Sequence, residues 1–171
     1  MDAAKRREYI LAELKGSRRP ISATVFANSL SVSRQIIVGD VALLRASGEK
    51  ITATPRGYVL ERSSDFEEYT VACVHMLDTM EKELNIMVDN GCTVVNVIVE
   101  HPLYGQLTGP LQLSNRYDVS QFVKSCNEHA AEPLCALTGG IHLHTLACPD
   151  AECFERTRAE LEREGLLYLQ K

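Results

Sequence analysis

The sequence contains no tryptophan, no internal repeat and no low-complexity tract. No apolar run approaches the ~20 residues that a membrane-crossing helix needs. The opening residues Met1–Arg7 are charged and not signal-like. Together these absences predict a cytoplasmic protein with no membrane partner. No C-x-x-C pair occurs either, although there are six cysteines, Cys73, Cys92, Cys126, Cys135, Cys148 and Cys153. Most of them sit inside apolar runs, and they read as reduced core residues, not as a disulfide framework or a zinc knuckle. What remains is ordinary globular composition: 171 residues, 45% hydrophobic and 24% charged. That length suits one domain or two small ones.

The net charge of −5 conceals an asymmetry. Residues 1–62 carry 11 Lys and Arg against 6 Asp and Glu, whereas residues 63–171 carry 7 against 17. A basic first third followed by an acidic remainder argues for two units with different partners, the first facing phosphate. The polar stretch Glu61–Asp65 marks the boundary, giving units at 1–62 and 65–171.

In the first unit, Ala3–Lys15 places Tyr9, Ile10, Leu11 and Leu14 on one helical face. A second helix follows from Ser22, its N-cap, through Leu30. After the tight connection Ser31–Ser33, Ser33 caps a third helix, Arg34–Ala46, with Ile36, Ile37, Val41, Leu43 and Leu44 as its apolar side. Ile51–Leu60 then reads as a hairpin turning at Pro55–Gly57. Three helices, a short turn before the third, and a hairpin form the order of a winged helix-turn-helix. In such a module the start of the third helix enters the major groove. Ser33, Arg34 and Gln35 stand there, and Arg and Gln can bridge two groups on a base edge. Arg56 at the hairpin tip would reach the DNA backbone or minor groove. The run Ala23–Gly48 resembles the winged-helix domain at the front of many bacterial repressors. Ile36 and Gly39 depart from that pattern, standing where Thr and Arg are more usual.

The second unit predicts strands at Tyr69–Val74, Thr93–Glu100, Leu103–Leu113 and Gly140–Ala147. Helices are predicted at Thr79–Asn90, Ser120–Ala130 and Ala151–Glu164. Intermixed strands and helices with short connections indicate an α+β two-layer sandwich. Within the last strand, His142 and His144 are two residues apart, so both imidazoles leave one face about 7 Å apart. That pair can supply two nitrogen ligands to one metal, with His75 and Glu83 as candidates for the rest. Glu83 belongs to a helix, and His75 must precede that helix for both to reach one ion. Three imidazoles and a carboxylate suit Zn, Ni, Fe or Co, not Mg or Ca. His101 reads as a turn residue beside Pro102, and His129 as an exposed helix residue.

His75 with Glu83-Leu84, then Asn96–Leu107, then Leu137–Thr145, placed behind a winged helix, closely resembles the niacin-responsive transcriptional repressors of bacteria. The resemblance covers nearly the whole chain, with the winged helix followed by a three-histidine domain. It implies a homodimeric repressor that binds operator DNA of niacin-uptake and NAD-biosynthesis genes, with nicotinic acid as effector and corepressor. It also implies one divalent transition metal per chain, Zn or Ni, on His75, Glu83, His142 and His144. His101, Tyr104, Gly139 and Gly140 match the surroundings of the ligand pocket. Met76–Thr79 departs from the family's more polar helix start. No catalytic residue is implied. Two rivals are a repressor that senses the metal itself and a metalloenzyme acting on a pyridine carboxylate, fused to a DNA-binding domain.

Overall fold

The computed structural model describes residues 2–61, 65–129 and 132–169. The chain divides into two compact units, residues 1–63 and 64–171. Three residues of the expected boundary, 62–64, lie outside the described residues, as does Ala130 at the end of an expected helix.

Serine caps set the register of the first unit. Helix α1 spans Ala3–Gly16, α2 Ala23–Leu30 and α3 Arg34–Ala46. The Ser22 hydroxyl accepts the Val25 N–H at 3.2 Å, and the Ser33 hydroxyl accepts the Ile36 N–H at 3.3 Å. Each such cap contributes about 1 kcal/mol. Between the two helices Ser31 adopts a left-handed φ of 52° and turns the chain within three residues. Ile10, Leu14, Phe26, Ile37, Val41, Leu44 and Ile51 form the core. The expected apolar sides of the helices are broader than the buried ones. Tyr9, Ile36 and Leu43 are exposed, whereas the apolar residues that α1 and α3 bury are Ile10, Leu14, Ile37, Val41 and Leu44. The buried Asp40 carboxylate adds a polar tie, accepting from Arg6 Nε at 2.5 Å and from its terminal nitrogen at 3.1 Å.

The hairpin pairs β1, Ile51–Thr54, with β2, Gly57–Leu60. Ile21 exchanges both backbone hydrogen bonds with Tyr58, at 2.9 Å each, joining the hairpin to the chain just before α2. Gly57 permits this approach. Its φ is +135°, and a Cβ there would lie 2.4 Å from the Ile21 carbonyl oxygen. Gly57→Ala is expected to cost the unit ~2–3 kcal/mol through strain and lost pairing. Thermal unfolding of the variant, with little change expected in the second unit, checks this.

The second unit runs β3 (Glu67–Val74), α4 (Met80–Asp89), β4 (Thr93–His101), β5 (Gly105–Leu113), α5 (Arg116–Glu128), β6 (Ile141–Cys148) and α6 (Ala151–Arg163). Short 3-10 turns occupy Leu77–Thr79 and Leu134–Thr138. The four strands form one antiparallel sheet in the order β3-β6-β4-β5, so the last strand inserts between the first two. Val71, Val94, Leu111, Leu113 and Leu146 pack against Leu84, Met87, Val88, Val119 and Leu161 in a single core. Helices α4, α5 and α6 thus form the second layer of the expected sandwich.

Two boundaries differ from expectation in an informative way. Helix α5 begins four residues before Ser120. The Asn115 side chain accepts the Asp118 N–H, while the Asp118 carboxylate accepts the Ser114 N–H. That reciprocal cap is a sequence signal in its own right. The predicted strand from Leu103 starts at Gly105, because residues 102–104 form the turn of the β4–β5 hairpin.

Candidate functional site

The two-residue period of β6 sends His142, His144, Leu146 and Cys148 toward the helices, and all four are buried. Across the β3–β6 pairing, Cys73 lies opposite His142 and Val71 opposite His144. His75 follows the end of β3 and precedes the 3-10 turn, as the reach argument requires. The first turn of α4 lowers Glu83, 1% exposed, onto these rings. His75 Nε2 lies 2.7 Å from Glu83 Oε2, His142 Nε2 3.1 Å from Oε1, and His144 Nε2 3.4 Å from Oε2. Neighbouring ring centroids stand 4.8 and 4.9 Å apart.

The opposite nitrogens explain this convergence. His75 Nδ1 lies 2.7 Å from the Met76 carbonyl oxygen, His142 Nδ1 2.9 Å from that of Gly140, and His144 Nδ1 2.8 Å from that of Asn96. A carbonyl only accepts, so each Nδ1 carries the proton and donates it. All three Nε2 lone pairs are thereby directed at one point when the rings are neutral. The Asn96 carbonyl reaches its ring because β4 shifts register between Val94 and Asn96, a bulge beside the site. Backbone acceptors behind each imidazole are the usual means of orienting metal ligands.

Without a metal the same cluster is held by protons: a ring that donates from Nε2 to Glu83, with Nδ1–H already given to a carbonyl, carries both ring protons and a positive charge. Burial pushes the Glu83 carboxyl upward, but in that state the charge of His144 and hydrogen bonds from His142, His144 and His75 outweigh it, holding Glu83 well below the carboxylate range. Burial pulls His75 down, and the Glu83 hydrogen bond and charge raise it overall. Three inward nitrogens and a buried anion are a donor set that fits a divalent transition metal. Cys73 also belongs here. Its sulfur lies within 4.8 Å of ligand atoms on Glu83 and His142, and burial followed by the Glu83 charge pushes its thiol far up.

The other expected pocket residues divide. Gly140 is structural: its φ is +93°, and its carbonyl receives both the His75 N–H, at 3.3 Å, and His142 Nδ1–H. Gly139, φ +62°, ends the second 3-10 turn with open space around it. His101 Nδ1 accepts the N–H groups of Leu103 and Tyr104 at 3.1 and 3.3 Å, so it closes the β4–β5 turn and its Nε2 carries the proton. The Tyr104 ring, 70% exposed, stands 5.1 Å from the His101 ring. Met76, Leu77, Leu103 and Leu137 are exposed as well, on the connections nearest this end of the sheet. In the first unit Ser33, Arg34 and Gln35 are exposed at the start of α3, and Arg56 is half-buried at the hairpin tip.

Sequence reasoning missed Cys73 and the three backbone carbonyls. Cys73 sits two residues before His75, and only strand pairing puts it beside His142. The bulge carbonyl of Asn96 leaves no mark in the sequence.

A family model described as a 3H domain matches residues 68–170, and one described as an HTH domain matches residues 6–59. "Probable transcription repressor NiaR" of Thermotoga maritima is 43% identical over 163 residues, covering 95% of this chain and 93% of the relative. "Transcription repressor NadR" of Bacillus subtilis is 40% identical over 168 residues, covering 96% and 93%.

Proposed function

The chain belongs to the NiaR/NadR family of transcription repressors, which joins an HTH domain to a 3H domain, and from that premise we propose a nicotinate-responsive, metal-containing repressor of niacin-uptake and NAD-biosynthesis genes. It is a DNA-binding regulator and not an enzyme, in keeping with relatives named as repressors. No helix among the described residues is long and apolar enough to cross a membrane. A cytoplasmic location is part of the proposal.

The observation that carries the effector site is the convergence of three imidazole Nε2 atoms on Glu83. His75, Glu83, His142 and His144 would hold one divalent transition metal, zinc or nickel. When bound, the metal supplies a positive centre for an anionic ligand. That centre is needed because the cations between residues 65 and 129 are already engaged: Lys82 with Glu164, Arg116 with Asp89 and Lys124 with Glu128. Nicotinate pairs one carboxylate with a flat aromatic ring. Tyr104 offers a stacking face and His101 Nε2–H a donor, with Gly139 lining the same end of the sheet. Nicotinamide lacks the charge and binds more weakly.

On the DNA side, Arg34 and Gln35 read bases, Ser33 holds the helix start, and Arg56 contacts the backbone. The protein acts as a homodimer, since one such module alone binds DNA too weakly and two spaced modules remedy that. Nicotinate favours the dimer arrangement that fits the operator, so operator DNA must tighten nicotinate binding by the same factor.

Gel shifts on the protein's own upstream region test this reading, using metal-loaded protein with nicotinate, nicotinamide or benzoate. A nicotinate-dependent shift that chelation removes is expected. A shift driven by metal alone would replace nicotinate with the metal as signal. Arg34→Ala should weaken specific binding by roughly 1–3 kcal/mol, whereas Arg56→Ala weakens all sequences alike. Fluorescence anisotropy on operator and scrambled duplexes separates the two, and an undiminished operator affinity in Arg34→Ala would remove it from the reading helix.

A further inference from the structure

The far end of the same β6 face carries a second cluster that the histidine site does not use. Cys148 closes β6, six residues from His142 and so roughly 20 Å away along the strand. Cys92 follows the end of α4, and Cys153 lies in the first turn of α6. The Cys92 sulfur is 3.2 Å from Cys148 and 3.5 Å from Cys153, and all three sulfurs lie within 4.8 Å of one another. A fourth donor, Thr157 Oγ1, stands 3.2 Å from the Cys92 sulfur one turn further along α6. Exposure of these four residues is at most 1%.

We propose that Cys92, Cys148 and Cys153, closed by the Thr157 hydroxyl, form a second and purely structural site for a zinc-class divalent ion. Four observations carry it. Cys148 and Cys153 are separated by four residues, within the two to four typical of zinc-binding cysteine pairs. A tetrahedral ion with bonds of ~2.3 Å to sulfur needs sulfur–sulfur edges of ~3.8 Å, so loading would spread the 3.5 Å pair by ~0.3 Å and the 3.2 Å pair by ~0.6 Å, a small side-chain adjustment. The four donors are closed off from solvent, which suits a site with no open position. Charge favours a divalent ion over a monovalent one. Three thiolates with a divalent ion leave a single buried negative charge, set at the positive end of the α6 dipole, although the Cys153 N–H itself is already taken by the Asp150 carboxylate at 2.7 Å.

Burial pushes the Cys148 thiol up and the Cys153 thiol to about 11, so both hold their protons when no ion is bound. A cysteine binds a metal as its thiolate, so loading one ion on three cysteines replaces their S–H protons with no oxidation or reduction. Cys153 now donates its S–H to the Asn90 carbonyl at 3.0 Å, a bond lost on deprotonation. The ion would join the end of α4, the end of β6 and the start of α6. The histidine site joins α4 and β6 at their opposite ends.

Cobalt and zinc loading of the reduced, metal-stripped full chain tests the proposal. About two zinc ions per chain are expected for the parent and about one each for His144→Ala and Cys153→Ser. Cobalt-loaded parent and His144→Ala should show the near-ultraviolet thiolate-to-cobalt charge-transfer band, and Cys153→Ser should lose it. Because Cys73 lies beside the histidine site, His144→Ala is the deciding background: absence of the band in it, or its persistence when Cys153→Ser is added to it, overturns the site. If Cys153→Ser does not fold, zinc X-ray absorption on the parent decides: a sulfur shell supports the proposal, and nitrogen and oxygen neighbours alone refute it. A Cys92–Cys148 disulfide that survives treatment with reductant, seen as a mass two units low, also refutes it.

Discussion

Replacing Glu83 by Gln is expected to abolish metal retention and to destabilise the second unit at the same time. Glu83 is the anion on which three Nε2 atoms converge, and it is 1% exposed. Loss of a partner behind a metal ligand costs 10–100-fold in affinity, and loss of the ligand itself should exceed roughly 100-fold. In chelated protein the same change leaves His75 without its counter-charge, and breaking a buried pair in this way costs on the order of 3 kcal/mol. Elemental analysis and thermal unfolding read the two effects separately. Full metal content in Glu83→Gln would remove the carboxylate from the site.

The same geometry predicts opposite pH trends with and without metal. Glu83 titrates lower in the folded chain than in the unfolded one. Its contribution is therefore present above ~4.3 and lost as pH falls through the folded value. His75 titrates higher when folded. Its contribution is complete below ~6.5 and lost as pH rises through the folded value. Chelated protein should thus be most stable at mildly acidic pH and weaken above it. Metal-loaded protein should gain over the same interval, since the imidazoles must shed protons to bind. Thermal melts between about pH 5 and 8, with and without chelator, should slope in opposite directions.

Gly140→Ala is the second large effect. A Cβ at this position would sit 2.4 Å from the His75 carbonyl oxygen, at a φ of +93°. Backbone must move, and the Gly140 carbonyl that holds both His75 and His142 moves with it. A loss of roughly 3 kcal/mol is expected, with metal affinity down 10–100-fold. Gly139→Ala is the internal control. Its Cβ meets nothing within 4 Å, so only the left-handed φ opposes it, at about 1 kcal/mol, and metal binding should survive. Equal losses in the two variants would show that the close approach to His75 is not what Gly140 serves.

These adjacent glycines mark the division between what the sequence determines and what the fold adds. Local chemistry alone placed α2 and α3, because Ser22 and Ser33 cap them and their apolar residues recur with helical period. It also put His142 and His144 on one face, since a strand alternates sides every residue. The side-chain ligand candidates were legible as residue types at workable distances along the chain. Helix α5 was legible too, through its Asn115–Asp118 cap, and the expectation placed its start too late by passing over that signal.

Only the tertiary structure decided the rest. Insertion of β6 between β3 and β4 brings Cys73 opposite His142, and the β4 bulge brings the Asn96 carbonyl to His144. Nothing in either segment's own periodicity specifies its neighbour. Cys92, Cys148 and Cys153, read singly, are small apolar residues in apolar runs. They become a cluster because the ends of α4, β6 and α6 close over one point. Gly139 and Gly140 are indistinguishable in sequence, yet one faces open space and the other lies against the His75 backbone. The physical reason is common to all three. Caps and periodicity act between residues a few positions apart, whereas pairing order and close approach are set by contacts between segments tens of residues apart.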